Sequence, residues 1–276
     1  MTVKANEKKD ALRLFTSHGL DFQDTGSREV TSDCPFCEKE GKFYVSKSRG
    51  QYHCKVCGEK GNGYTFLSKL AEKCESATTE KQYKEFGKDR GISPIILKRE
   101  HLGYDSETKR WLLPVWNGTD NVSNIMTYNP ALEKGKTRST ANCSRHLYRA
   151  PEIAPTGPIY ICEGEWDALA LLSLIDKAGV TTASVVAVPG AETFKKEWVA
   201  YFKNREVILL YDNDGSGQDG KLKVIDILKD EAKSVSSVHW ATTFPEKYDI
   251  RDFVSEYGSR KGTWKRLQQM ILAEEG

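Results

Sequence analysis

The sequence predicts an α+β chain of several domains: a small N-terminal β module built around four cysteines, a basic mixed α/β lobe, and a C-terminal α/β domain with a parallel, helix-covered sheet. Three observations predict it. Two Cys-x-x-Cys pairs lie near the N-terminus, strands and helices alternate from about residue 158 onward, and charge is divided unevenly along the chain. Residues 1–150 carry 26 Lys and Arg against 19 Asp and Glu, whereas residues 151–276 carry 15 against 20, so the overall +2 conceals a basic front and an acidic rear. The first suits a polyanionic partner and the second suits cations. A chain of 276 residues has room for two or three domains. The longest apolar run, around Ala168 to Ile175, is far short of the roughly 20 residues a membrane span requires. Met1 to Asp10 is too polar for a signal peptide. A cytoplasmic protein with no membrane partner is therefore expected.

Seven cysteines, four of them in two tight pairs, point to metal ligation rather than to disulfides. Cys34, Cys37, Cys54 and Cys57 form C-x2-C-x16-C-x2-C, a spacing that sets four thiolates tetrahedrally around one zinc ion. Such a site is closed, so the zinc is structural. Cys162 sits in an apolar run and reads as core, and Cys74 and Cys143 read as free thiols. Between the pairs, Lys42 to Ser46 and Gln51 to Cys54 flank Ser48-Arg49-Gly50 and read as a hairpin. A helix follows Gly61-Asn62-Gly63, carrying Tyr64, Phe66, Leu67 and Leu70 at helical spacing. Beside the hairpin, Lys42, Tyr44, Lys47, Arg49, Tyr52 and His53 interleave basic and aromatic groups, a pattern that holds phosphates and stacks unpaired bases; a purely structural ribbon with a solvated face has the same composition.

The domain boundaries follow from composition. Residues 1–70 form the zinc ribbon. The charged stretch 71–91, with Gly87 and Gly91 as breakers, is expected to be a linker holding one solvated helix. Residues 92–276 make the second domain, divided into a basic lobe (92–150) and the alternating region (151–276). The basic lobe has short strands at Trp111 to Trp116 and Val122 to Tyr128. The alternating region reads as strand Ile159 to Cys162, a helix to about Ala178, strand Val185 to Val188, a helix through Trp198, strand Val207 to Tyr211, a helix from about Gly220, and strand Val235 to Trp240.

Two of these strands run into carboxylates. Glu163 ends the first, Gly164 turns the chain, and Asp167 enters the first turn of the helix; Asp212 and Asp214 follow the third strand in Tyr211-Asp212-Asn213-Asp214-Gly215. Acidic residues at helix starts and in Asx turns have ordinary explanations. Two paired sets at the carboxyl ends of strands in an acidic half nonetheless suggest one cation site, because open parallel sheets bind ligands there and hard divalent cations take carboxylate oxygens. Asp249, after the last strand, is a candidate for the same rim, and Asp252 either joins it or caps the next helix. Gly215 to Leu222 imitates a phosphate-binding G-x4-G-K loop, but Leu222 stands where the magnesium-binding hydroxyl belongs and three aspartates crowd the loop.

The order Glu163-Gly164-Glu165-Trp166-Asp167, Val188-Pro189-Gly190-Ala191 and Tyr211-Asp212-Asn213-Asp214-Gly215-Ser216-Gly217 resembles the Toprim domain of primases, topoisomerases and related nucleases. With a four-cysteine ribbon upstream, the resemblance narrows to bacterial and bacteriophage DNA primases, above all the primase half of bacteriophage primase-helicases. It implies that Glu163, Asp167, Asp212 and Asp214 are the catalytic carboxylates and hold, with Asp249, a pair of Mg2+ or Mn2+ ions. It implies a DNA-directed RNA polymerase, a nucleotidyltransferase joining ribonucleoside triphosphates on a single-stranded DNA template. Tyr248 stands where the family's K-D-x-x-[DE] stretch has lysine. Lys42, Arg49, Tyr52 and His53 in the ribbon, with Lys136, Arg138, Arg145 and Arg149 in the basic lobe, are the candidate template or nucleotide contacts. A replicative helicase is expected on a separate chain, in a bacterial or phage-infected cytoplasm. The competing readings are a Toprim nuclease and a non-catalytic zinc-ribbon adaptor.

Overall fold

The computed structural model describes residues 10–118 and 121–273. The chain divides into two compact units. One comprises the residues through Thr78, His101–Val115 and the stretch ending at Arg145; the other comprises Thr79–Glu100, Trp116–Gly118 and the chain from His146 onward.

The first unit opens with α1 (Arg13–Thr16) and an antiparallel sheet of β1 (Gln23–Asp24), β2 (Glu29–Ser32), β3 (Phe43–Ser46), β4 (Tyr52–Cys54) and β5 (Lys60–Gly61), in that spatial order. Period-two alternation sends Phe43 and Val45 inward and leaves Tyr44 and Ser46 half-buried on the other face. An aromatic core forms behind them: Phe15 and Phe66 have ring centroids 4.7 Å apart, and Phe43 stacks on Tyr52 at 5.1 Å. Helix α2 (Gly63–Ala77) begins at Asn62, whose side chain accepts from the Tyr64 and Thr65 amides while Thr65 returns a bond in a capping box. Apart from Trp116 at the end of β7, the unit also contains the sheet β6 (Gly103–Asp105), β7 (Arg110–Trp116), β8 (Val122–Tyr128) and β9 (Thr137–Ser139), against which α2 packs. Ser68 of α2 accepts from the Val122 amide at 3.0 Å.

The expected division at residue 70 therefore falls inside one continuous helix. The expected linker 71–91 is helical as well: the end of α2, then α3 (Glu80–Arg90), which starts from a Thr79–Gln82 capping box and ends at Gly91 in the left-handed region. Its charged composition hides Tyr83 and Phe86, both buried at i, i+3 spacing, and burial of that stripe holds the helix in place. Gly87 lies within the helix, and only Gly91 terminates it.

The second unit takes α3, α4 (Pro94–Arg99) and the alternating region: β10 (Ile159–Cys162), α5 (Glu165–Ala178), β11 (Ser184–Ala187), β12 (Glu206–Leu210), α6 (Gly215–Leu228), β13 (Ser234–Val238), α7 (Ile250–Tyr257), α8 (Lys261–Gln269) and β14 (Ile271–Ala273). The sheet order is β11-β10-β12-β13-β14, parallel except for the edge strand β14. Ile159, Ile161, Val186, Val207 and Leu209 are buried almost completely, as continuous apolar strands covered by helices require. Cys162 is fully buried, as expected for a core thiol.

Two helices differ from the sequence reading. Between β11 and β12 there is only a 3-10 segment, Lys196–Phe202. Trp198 and Phe202 supply an i, i+4 apolar pair that imitates an amphipathic helix, and they reach the core with Phe194 beside them. Helix α6 starts at Gly215, five residues earlier than glycine content suggests, because Asp214 caps it by accepting from the Gly217 amide at 2.8 Å.

Candidate functional site

The strand register assembles the acidic centre. Cys162 of β10 pairs with Leu210 of β12, so the residues that follow each strand leave the sheet side by side. The chain passes from β10 to β11 on one side and then to β12 on the other, which makes this edge the point of reversal in strand order where open sheets bind ligands. Glu163 follows β10, and its Oε2 accepts from the Asp212 amide at 3.1 Å. Asp167, in the first turn of α5, is 6% exposed. Asp249 is the N-cap of α7, accepting from the Asp252 amide at 2.9 Å, and Asp252 closes the capping box. That structural duty accounts for Asp252.

One residue had no assigned role in the sequence reading. Arg251 donates from Nε to Asp167 Oδ1 at 2.7 Å, and its other arm contacts Asp249. The only signal for it was a cation two residues beyond a candidate carboxylate in an acidic half.

Crowding raises the proton affinity of the group. Burial, reinforced by Asp167, Glu163 and Asp249, pushes Asp212 up to about 9. Burial pushes Asp167 up to about 7 against the pull of Arg251. Burial also raises Glu163, with Asp214 and Asp249 adding to it while the Asp212 amide opposes. The half-buried carboxylates Glu163 and Asp212, which no cationic side chain contacts among the described residues, offer only oxygen donors and fit a hard divalent cation, which supplies the missing positive charge. Their oxygens are not drawn to one point: among the described residues only the four cysteines bring three or more ligand atoms within 4.8 Å of one another. Wider spacing suits an ion that keeps waters and takes phosphate oxygens as further ligands.

An aromatic strap holds the Asp212–Asp214 turn. The Asn213 amide donates to the Tyr248 carbonyl at 2.9 Å, its side chain donates to the Pro245 carbonyl at 2.9 Å, and Trp240 Nε1 donates to the Tyr211 carbonyl at 2.8 Å. Tyr248 is buried, stacks on Phe244 at 4.5 Å and donates its hydroxyl to Glu256 at 2.6 Å. A lysine there would have to bury its ammonium among rings, so the tyrosine is part of the packing. The loop that imitates a phosphate cradle is likewise structural: a Cβ on Gly217 would lie 2.3 Å from the Asp212 carbonyl oxygen, and one on Gly220 would lie 2.4 Å from that of Ala191.

In the first unit, Sγ of Cys34 lies 3.8 Å from that of Cys57, and Sγ of Cys37 lies 3.7 Å from that of Cys54. A tetrahedron with zinc–sulfur bonds of about 2.3 Å has sulfur–sulfur edges of about 3.8 Å, so the four thiols are spaced for one Zn2+. The register places Tyr44, His53 and Lys60 opposite one another across β3, β4 and β5. A groove of about 930 Å³ runs over this part of the sheet, lined by Arg28, Arg49, His53 and Lys60 among others. Lys42, Arg49 and His53 are exposed. Tyr52, expected to be available for base stacking, is 3% exposed because its ring belongs to the aromatic core. Lys47 is paired with Asp24 at 2.6 Å, and Lys55 Nζ lies 3.9 Å over the Tyr44 ring.

The basic stretch Gly135 to Arg149 is divided between the two units. Lys136, Arg138 and Arg145 are exposed and belong to the first unit; Arg149 belongs to the second, where Glu100 engages it and also accepts from the Tyr148 hydroxyl at 3.0 Å. Buried Arg110 orders the start of the stretch by donating to the carbonyls of Gly135 and Lys136, each at 3.0 Å.

Residues 10–89 match the CHC2 zinc finger, and residues 160–254 match the Toprim-like family. The second range encloses Glu163, Asp167, Asp212, Asp214, Asp249 and Arg251. A DNA primase from Streptomyces coelicolor is 30% identical over 109 residues. The chain resembles Toprim-type DNA primases in sequence and in fold. The match to the Streptomyces primase covers 39% of this chain and 16% of that protein. The crystal structure of the Aquifex aeolicus primase, with zinc-binding and RNA polymerase domains, aligns at a TM-score of 0.53 and 20% identity, covering 99% of this chain and 87% of that one. The primase fragment of the bacteriophage T7 primase-helicase aligns at 0.51 and 17% identity, covering 91% and 99%. The likeness to these structures is one of fold, and the Aquifex alignment takes in nearly all of this chain, its antiparallel zinc-module sheet and its largely parallel sheet included. Among the described residues no helix is long and apolar enough to cross a membrane.

Proposed function

We propose that this chain synthesises short RNA primers from ribonucleoside triphosphates on single-stranded DNA. The observation that carries the reading is the convergence of Glu163, Asp167, Asp212 and Asp249 beside the β10 and β12 ends, with Asp214 at the start of α6. These carboxylates would hold Mg2+ or Mn2+, a pair of which neutralises the phosphates and activates the 3′-hydroxyl for attack. Glu163, steadied by the Asp212 amide, would accept the 3′-hydroxyl proton as the new P–O bond forms at the α-phosphate and the bond to the departing pyrophosphate breaks. Asp212 and Asp214 sit on one turn, held by the aromatic strap, and would hold such an ion at a fixed place beside the strand ends. The zinc module reads a short template motif, with Lys42, Arg49 and His53 as candidate contacts, and Lys136, Arg138 and Arg145 hold template or nucleotide. Bases stack on exposed rings, so Tyr52 serves the module by packing instead. A replicative helicase, in a bacterial or phage-infected cytoplasm, is the partner this activity calls for.

The test is magnesium-dependent synthesis on a library of single-stranded templates with labelled ribonucleotides. Glu163→Gln and Asp212→Asn should each lower oligoribonucleotide yield by at least about 100-fold with zinc content and melting unchanged. Cleavage of the template without synthesis would favour the nuclease reading, and motif-specific binding without either reaction would favour the adaptor.

A further inference from the structure

The acidic centre contains its own cation. Arg251 reaches from the first turn of α7 to Asp167 in the first turn of α5, at 2.7 Å, and simultaneously contacts Asp249, its own helix cap. Asp167 is 6% exposed and Asp249 5%, whereas the Arg251 side chain is 30% exposed and has a route to solvent. Two buried carboxylates thus receive the fork of one guanidinium, a planar donor that matches carboxylate oxygens and stays charged at any working pH. Oxygens engaged by Arg251 have less capacity for a metal. Glu163, Asp212 and Asp214 are not engaged by it: Glu163 accepts one amide, Asp214 accepts one amide, and the Asp212 turn is held through its backbone.

Resting on the proposed cation-binding role of this centre, we infer that Arg251 is its resident counter-charge, a positioning residue that holds Asp167 and Asp249 together without metal and competes with divalent cations for them. One cation then enters on the Glu163, Asp212 and Asp214 side without displacing anything. A further cation that uses Asp167 or Asp249 must first release the guanidinium, which is then free to meet the negative charge of an incoming triphosphate. Metal occupancy and substrate binding are coupled through this one side chain.

The test is Mn2+ binding, followed by electron paramagnetic resonance and by titration calorimetry, in the zinc-loaded wild type, Arg251→Gln, Arg251→Lys and the reference variant Asp212→Asn. Losing one unit of positive charge a few ångströms from the ligands should tighten Mn2+ binding by about tenfold in Arg251→Gln. Its melting temperature should fall without divalent metal and recover with Mn2+, and Arg251→Lys, which keeps the charge but loses the fork, should lie between. A residue that merely props up the site would give the opposite sign, weaker Mn2+ binding in the variant. Equal or weaker affinity in folded Arg251→Gln overturns the inference while leaving the metal site standing; should Arg251→Gln not fold, equal or weaker affinity in Arg251→Lys does the same. Wild type whose Mn2+ binding Asp212→Asn does not alter overturns the cation-binding role itself, and the inference with it.

Discussion

His18 shows how one buried side chain sets a condition on the stability of the first unit. Its Nε2 lies 3.0 Å from the Thr140 hydroxyl, and burial lowers its pKa from 6.5 to about 4, with Asp105 opposing. The folded chain keeps it neutral while the unfolded chain protonates it at the ordinary value, so between pH 6.5 and 4 the unfolded state binds more protons and stability falls as pH falls. The full effect is about 3 kcal/mol. Melting temperature measured from pH 7 to pH 4 should drop more steeply in wild type than in His18→Gln, and parallel curves would show that the ring carries no such burden. In the second unit, Tyr248→Phe removes a hydroxyl that donates to Glu256 at 2.6 Å and leaves the ring stack in place. Its expected cost is about 1 kcal/mol of stability, read from denaturant midpoints.

At the scale of elements, the acidic turn and helix α6 are fitted together at their glycines. A Cβ at residue 217 meets the Asp212 backbone at 2.3 Å, a distance that only a shift of the turn or of the helix can relieve. Gly217→Ala should therefore lose about 1–3 kcal/mol and weaken divalent-cation binding together, because the strained turn carries Asp212 and Asp214. A stability loss with unchanged Mn2+ affinity would mean that the helix gives way and the turn does not. Capping decides the other boundaries. Asn62 and Thr79 both head capping boxes, so the segment that composition marks as a linker begins inside one regular helix and ends at the C-cap of another. Asn62→Ala should cost about 1 kcal/mol.

At the scale of the molecule, the two units each have a core, and zinc concerns the first. Four thiols at tetrahedral spacing join the loop before β3 to the end of β4 and the turn after it, next to the Phe15, Phe43, Tyr52 and Phe66 cluster. Cys34→Ser combined with Cys37→Ser should release about one zinc per chain and loosen that cluster, seen as loss of near-ultraviolet circular dichroism, with template-motif dependence lost in the synthesis assay. A wild type without zinc would refute the module.

Motif and period were enough for the grouping of the four cysteines, the parallel sheet and the position of carboxylates at two strand ends, because each is encoded within a few residues of chain: Cys34-x-x-Cys37, an apolar strand running into Glu163, another into Asp212. Interactions between distant segments were not readable there. That Arg251 grips Asp167, 84 residues away, that Arg149 is engaged by Glu100, and that α2 continues past residue 70 to pack on β6 depend on which surfaces meet after folding. Tyr52 marks the same divide, since alternation identified its strand but only packing against Phe43 showed which face is the core. The sequence by itself determined which donor groups each centre contains, four thiols in one and carboxylates in the other, since residue type and spacing are local covalent facts. The tertiary structure alone decided which charges are answered and which remain open to a metal or a phosphate, since burial and opposing partners exist only once the chain is packed.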